Sequence, residues 1–63
     1  MDEPCFVCKP QQVEKISLGA VTIELSPNQH WIGRRCGDDV VLVRMDVEMS
    51  IPYADFDKYF IYN

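Results

Sequence analysis

Cys5-x-x-Cys8 is the sharpest chemical pattern in this chain. Two thiolates at that spacing can take two corners of a tetrahedral zinc site. The candidates for the other corners are His30, the one histidine, and Cys36, the one remaining cysteine. Cys5, Cys8, His30 and Cys36 thus form a chemically complete set for one structural zinc ion. Two features count against it. His30 and Cys36 stand farther apart than the usual second pair, and Lys9 occupies the place where a knuckle turn often carries glycine. The competing expectation is no cofactor at all, with the cysteines as small core or edge thiols, because free cysteine is among the most buried residue types. A redox dithiol fits worse. That motif opens a helix after a strand in a βαβ unit, and 63 residues leave no room for one.

Trp31, with Arg34 and Arg35, is the second candidate site. Aromatic and arginine side chains dominate interface hot spots and also contact nucleic acids. Neighbouring residues of a strand point to opposite faces, however, so the two arginines do not make one patch on a regular strand. The competing expectation is a core tryptophan, with arginines paired to surface carboxylates. Among those carboxylates, Asp38 and Asp39 fall in a turn, where Asp suits local hydrogen bonding. Asp46 and Glu48 share a strand face, which makes them candidates for an acidic partner-binding surface. No carboxylate pair, glycine-rich phosphate loop or nucleophile–base set stands out around a single histidine, so the chain does not read as an enzyme.

Size and charge narrow the classes further. Sixty-three residues make one domain, and such short chains often lean on a metal, disulfides or a partner subunit. Hydrophobic residues are 48% and charged residues 25%, the composition of a folded globular domain. Ten carboxylates against six basic groups give a net charge of −4, which argues against phosphate-dominated binding. The start, Met1-Asp2-Glu3-Pro4, has no basic or apolar leader character, and no apolar run approaches the ~18 residues of a membrane span. With an odd number of cysteines, these features lead us to expect a reducing, cytoplasmic setting.

The elements that must position these residues are mostly strands. Residues 1–11, with Pro4 and Pro10, read as an N-terminal arm or edge segment. Val13 to Leu25 reads as a hairpin about Gly19-Ala20, a type II′ turn. That turn pairs Leu18 with Val21 and Ile16 with Ile23 on one face, and Ser17 with Thr22 and Lys15 with Glu24 on the other. Val13 breaks the pattern and marks a bulge or a strand end. A short strand follows at His30–Arg35, where Gly33 signals a bend or a close backbone approach.

From Val41 to Ile51 every odd position is apolar, the alternation of a half-buried strand. Eleven extended residues would run about 36 Å at ~3.3 Å each. A domain of this size has a radius of gyration near ~11 Å. The strand must therefore bend, break near Arg44–Asp46, or reach into a second subunit. After Pro52, helical spacing over 53–62 puts Tyr53, Phe56 and Phe60 on one face.

The fold expected is mainly β: a small antiparallel barrel or rolled sheet of four to five strands, with a short C-terminal helix. The function expected is a small regulatory protein that is not an enzyme, binds another protein through Trp31, Arg34, Arg35, Asp46 and Glu48, and is compatible with a homodimer. The alternative is a small-barrel nucleic-acid regulator using Trp31, Arg34, Arg35 and Arg44. A membrane role is not expected.

Overall fold

The computed structural model describes residues 4–63, so the first three residues of the expected arm lie outside it. The order is β1 (Phe6–Pro10), β2 (Glu14–Leu18), β3 (Val21–Leu25), β4 (Trp31–Cys36), β5 (Asp39–Arg44), β6 (Val47–Pro52), α1 (Tyr53–Tyr59) and β7 (Phe60–Tyr62). The chain is mainly β with one short helix near its C-terminus. The strands form a five-stranded sheet in the order β6-β5-β4-β1-β7 and a separate two-stranded sheet, β2-β3. All pairings are antiparallel, and no closed barrel is formed among the described residues.

The first hairpin has the register that its chemistry dictates. Leu18 pairs with Val21, Ser17 with Thr22, Ile16 with Ile23 and Lys15 with Glu24. Gly19 takes a positive φ of 66°, which a residue without Cβ adopts freely. Lys15 Nζ lies 3.5 Å from Glu24 Oε1 in an exposed pair, and Val13 lies outside the strand, exposed to solvent.

The apolar run breaks instead of bending. β5 and β6 are joined by Met45-Asp46, with Arg44 opposite Val47, Val43 opposite Glu48 and Leu42 opposite Met49. Met45 has φ 55°, an uncommon conformation for a residue with a side chain. A straight strand would have exceeded the longest dimension of the molecule, 32 Å, while the radius of gyration is 10.9 Å. The break also changes which residues face inward. Val40 and Leu42 are buried on β5, whereas Met49 and Ile51 are buried on β6.

Two other segments differ from expectation. Residues 6–10 are not an arm or an edge: β1 lies inside the five-stranded sheet, between β4 and β7. Pro10 is tolerated because it ends that strand. The helix stops at Tyr59, seven residues long, and Phe60 turns to extended backbone at φ −122°, ψ 160°. Phe60, Ile61 and Tyr62 then pair with Pro10, Lys9 and Cys8. These are residues that fit a pleated surface well, and the ladder to β1 outweighs one more helical turn.

The helix is capped by its surroundings. The Tyr53 N–H donates to Asp38 O at 2.8 Å, so the β4–β5 turn satisfies the first helical amide. At the other end, the Gln11 side-chain amide donates to Asp57 O (3.2 Å) and Phe60 O (2.9 Å). The Gln11 backbone N–H donates to Tyr59 O at 2.8 Å.

The core lies on one face of the five-stranded sheet. Cys8, Trp31, Val40, Leu42, Met49 and Ile51 meet Ile16 and Leu25 from the hairpin and Phe56 from the helix. Phe56 stacks on Phe60 with centroids 5.6 Å apart. The opposite face of that sheet carries Val7, Ile32, Val43 and Glu48 in one row across four strands.

Candidate functional site

An open groove of about 470 Å³ lies between β3 and the β5–β6 turn. Val21, Thr22, Ile23 and Glu24 line one side; Arg44, Asp46, Val47 and Glu48 line the other. Trp31 and Gln29 also line it. Trp31 is only 2% exposed, so it contributes a buried wall and no free hot spot. It is held from two directions. Its indole N–H donates to Gln29 Oε1 at 3.1 Å, and Phe60 meets the ring edge-on with centroids 6.1 Å apart. The other end of the Gln29 amide donates to Glu24 O at 3.2 Å, which ties Trp31 to β3.

Charge in the groove is uneven. Glu24, Asp46 and Glu48 are exposed carboxylates, against one half-buried guanidinium, Arg44. Lys15, 3.5 Å from Glu24, partly offsets this, so three negative and two positive groups leave an excess of one negative charge. Strand edges add a second kind of polarity. β3 pairs only with β2, and β6 is the last strand of its sheet. Each therefore keeps one side of its backbone free of ladder partners, and such a side can accept another strand.

The structure gathers Trp31, Asp46 and Glu48 in this groove and separates the two arginines from it. Arg34 is exposed on the opposite face of the sheet, lining a shallow concavity with Ile32, Val41 and, two strands away, Glu48. Arg35 lies half-buried over the Tyr53 ring, 3.9 Å from its centroid, and its Nε donates to Gly37 O at 3.0 Å. Asp38 and Asp39 sit at the β4–β5 turn, away from the groove-lining residues. Glu24, expected only as the cross-strand partner of Lys15, and Gln29 are also groove residues. Their only sequence signal was nearness to Trp31.

The four candidate zinc ligands are dispersed. Cys8 is fully buried, its Sγ donating weakly to Trp31 O at 3.7 Å, and burial pushes its thiol pKa up to about 11. Cys5 is exposed on the outer face, where it lies near Arg34. Cys36 ends β4, also exposed, and His30 Nδ1 sits 2.8 Å from Asn63 Nδ2. Three residues apart on extended backbone, Cys5 and Cys8 point to opposite faces, where a zinc pair needs a turn. Among the described residues, no three His, Cys, Asp or Glu side chains converge on a point where one metal ion could sit. No helix there is long and apolar enough to cross a membrane. No family model matches the chain, and neither a curated protein nor a solved structure matches it.

Proposed function

We propose that this protein is a non-enzymatic binding module whose groove between β3 and the β5–β6 turn takes an extended, basic segment of another protein. The observation that carries this reading is the combination of apolar Val21, Ile23 and Val47 with three carboxylates beside strands that have an open edge. A partner strand laid there gains main-chain hydrogen bonds, while alternate side chains enter the groove. Lys or Arg on that strand would meet Glu24, Asp46 and Glu48. An acidic segment would be repelled, so charge sets the choice of partner more than it sets the affinity.

The nucleic-acid reading finds less support. Trp31 is buried, and Arg34, Arg35 and Arg44 occupy three separate surroundings, where a phosphate track needs adjacent cations and exposed stacking faces.

Selection from a random displayed peptide library tests the groove. Recovered ligands should be rich in Lys and Arg alternating with apolar residues, and their amide shift changes should map to Val21–Glu24 and Val47–Glu48. Glu24→Gln and Asp46→Asn should each weaken binding about two- to fivefold, the yield of an exposed ion pair. Ligands without basic bias, or shifts confined to other strands, would overturn the reading.

A further inference from the structure

The outer face of the five-stranded sheet shares only Glu48 with the groove, and its composition is unusual. Antiparallel sheets with one solvated face normally alternate apolar-in with polar-out. Here the outer row runs Val7, Ile32, Val43, Glu48, and the next runs Arg34, Val41, Ser50. Val7 is 42% exposed, Ile32 46% and Val43 37%, and the hairpin and helix both lie on the other side. Arg34 and Glu48 flank the apolar centre diagonally, two strands apart. Neither takes part in an ion pair among the described residues.

We propose that this face is the interface of a homodimer. A two-fold axis parallel to the sheet, lying over its outer face and passing above β5 between Val41 and Val43, brings Arg34 of each copy over Glu48 of the other. Each copy's arginine then meets the other's glutamate, and Ile32 of one copy lies over Val43 of the other. One patch thus supplies both signs of charge and its own apolar centre, which is the requirement of a self-complementary interface. Five strands about 4.8 Å apart make a face about 20 Å wide. Two such faces bury on the order of 1,000 Å², the low end for specific association, so the dimer is reversible. Glu48, on the edge strand β6, borders both this face and the groove, whereas Ile32 and Arg34 do not line the groove, so their variants separate dimer formation from peptide binding.

Sedimentation equilibrium from about 1 to about 500 µM, a range that brackets weak association, tests it. Wild type should move from monomer to dimer across that range. Arg34→Glu and Glu48→Arg each create two like-charge contacts per dimer and should weaken association about thirtyfold. The double exchange R34E/E48R should return to within about threefold of wild type, since both contacts are re-formed in reverse. Ile32→Lys should abolish the dimer, whereas pairing through the β6 edge would leave it intact. All three residues are exposed, so circular dichroism should be unchanged. A wild type that stays monomeric, single exchanges without effect, a double exchange that fails to restore, or an Ile32→Lys dimer would each overturn the proposal.

Discussion

Gly33→Ala should destabilise this domain, for a reason confined to one aromatic ring. Gly33 stands opposite Phe6 on β1 and Leu42 on β5, and its φ lies outside the left-handed region, so the backbone itself would accept alanine. The obstacle is space. A Cβ placed there would meet Phe6 Cε2 and lie 2.6 Å from Phe6 Cζ, against about 3.5–4.0 Å for an ordinary carbon contact. The ring must therefore shift by about 1 Å. It is already packed edge-to-face against Phe56 at 5.5 Å and Tyr62 at 5.2 Å between centroids. Overpacking of this kind costs about 1–3 kcal/mol. Alanine recovers about 0.4–1 kcal/mol by restricting the unfolded chain. The net loss is about 1–2 kcal/mol, a sizeable share of the roughly 3–9 kcal/mol available to 63 residues. Urea unfolding followed by Trp31 fluorescence measures it. The same substitution in a Phe6→Leu background is the control, because the smaller side chain leaves room for the methyl group. Gly33→Ala should there be neutral or stabilising. An equal cost in both backgrounds would refute the ring-against-glycine explanation.

Four further outcomes follow from the structure. Met45→Gly should raise stability by about 0.5–1 kcal/mol, seen as a higher urea midpoint: it relieves a left-handed residue at a cost in chain entropy, and the 85% exposed side chain loses little packing. Gln11→Ala should cost about 1–2 kcal/mol by freeing the carbonyls of Asp57 and Phe60, with faster amide exchange at β7. In the folded protein a thiol reagent should label Cys5 and Cys36, while Cys8 reacts only on unfolding. The Cys8 pKa is raised from 9.0 to about 11, so between those values the unfolded chain loses a proton that the native chain keeps. Its contribution is complete below pH 9 and is lost towards pH 11, by about 2–3 kcal/mol. A Cys8→Ala variant should fall less steeply over that window, and parallel curves would exclude the effect.

How much of this was legible in the sequence depended on whether local chemistry and long-range geometry agreed. For residues 14–25 they did: a glycine turn fixed the register, and the polar and apolar pairs confirmed it independently. For residues 41–51 the alternation was real but misleading. Because Arg44 pairs with Val47, residues facing each other across the hairpin have opposite parity, so Leu42 and Met49 share the core face. β5 carries Val40, Val41, Leu42 and Val43, apolar on both faces, and any phase looks correct there. Met45-Asp46 lacks the glycine or asparagine that announces a tight turn, and only the length of the run against the size of the domain exposed the break. The groove was legible by residue type, in Trp31, Asp46 and Glu48, but not in its other wall. Glu24 and Gln29 reach it only because the β2–β3 hairpin folds over the sheet, a contact that no local pattern encodes.

The same parity explains why the outer face matters. Had the run been one strand, Val41 and Val43 would have belonged to the core, and their valines would have needed no further account. The break moves them to the side that no other element covers, together with Val7 and Ile32. Threonine would satisfy a solvated strand position as well as valine does, since both are branched at Cβ and suit the pleat. Four apolar side chains there are therefore not required by strand formation. Against ten buried hydrophobic residues among those described, four more held at or near the surface are a large number unless something covers them. Arg34 and Glu48, on opposite sides of that apolar centre, then restrict what the cover can be, because a patch that brings both signs of charge to one apolar centre can be complementary to itself.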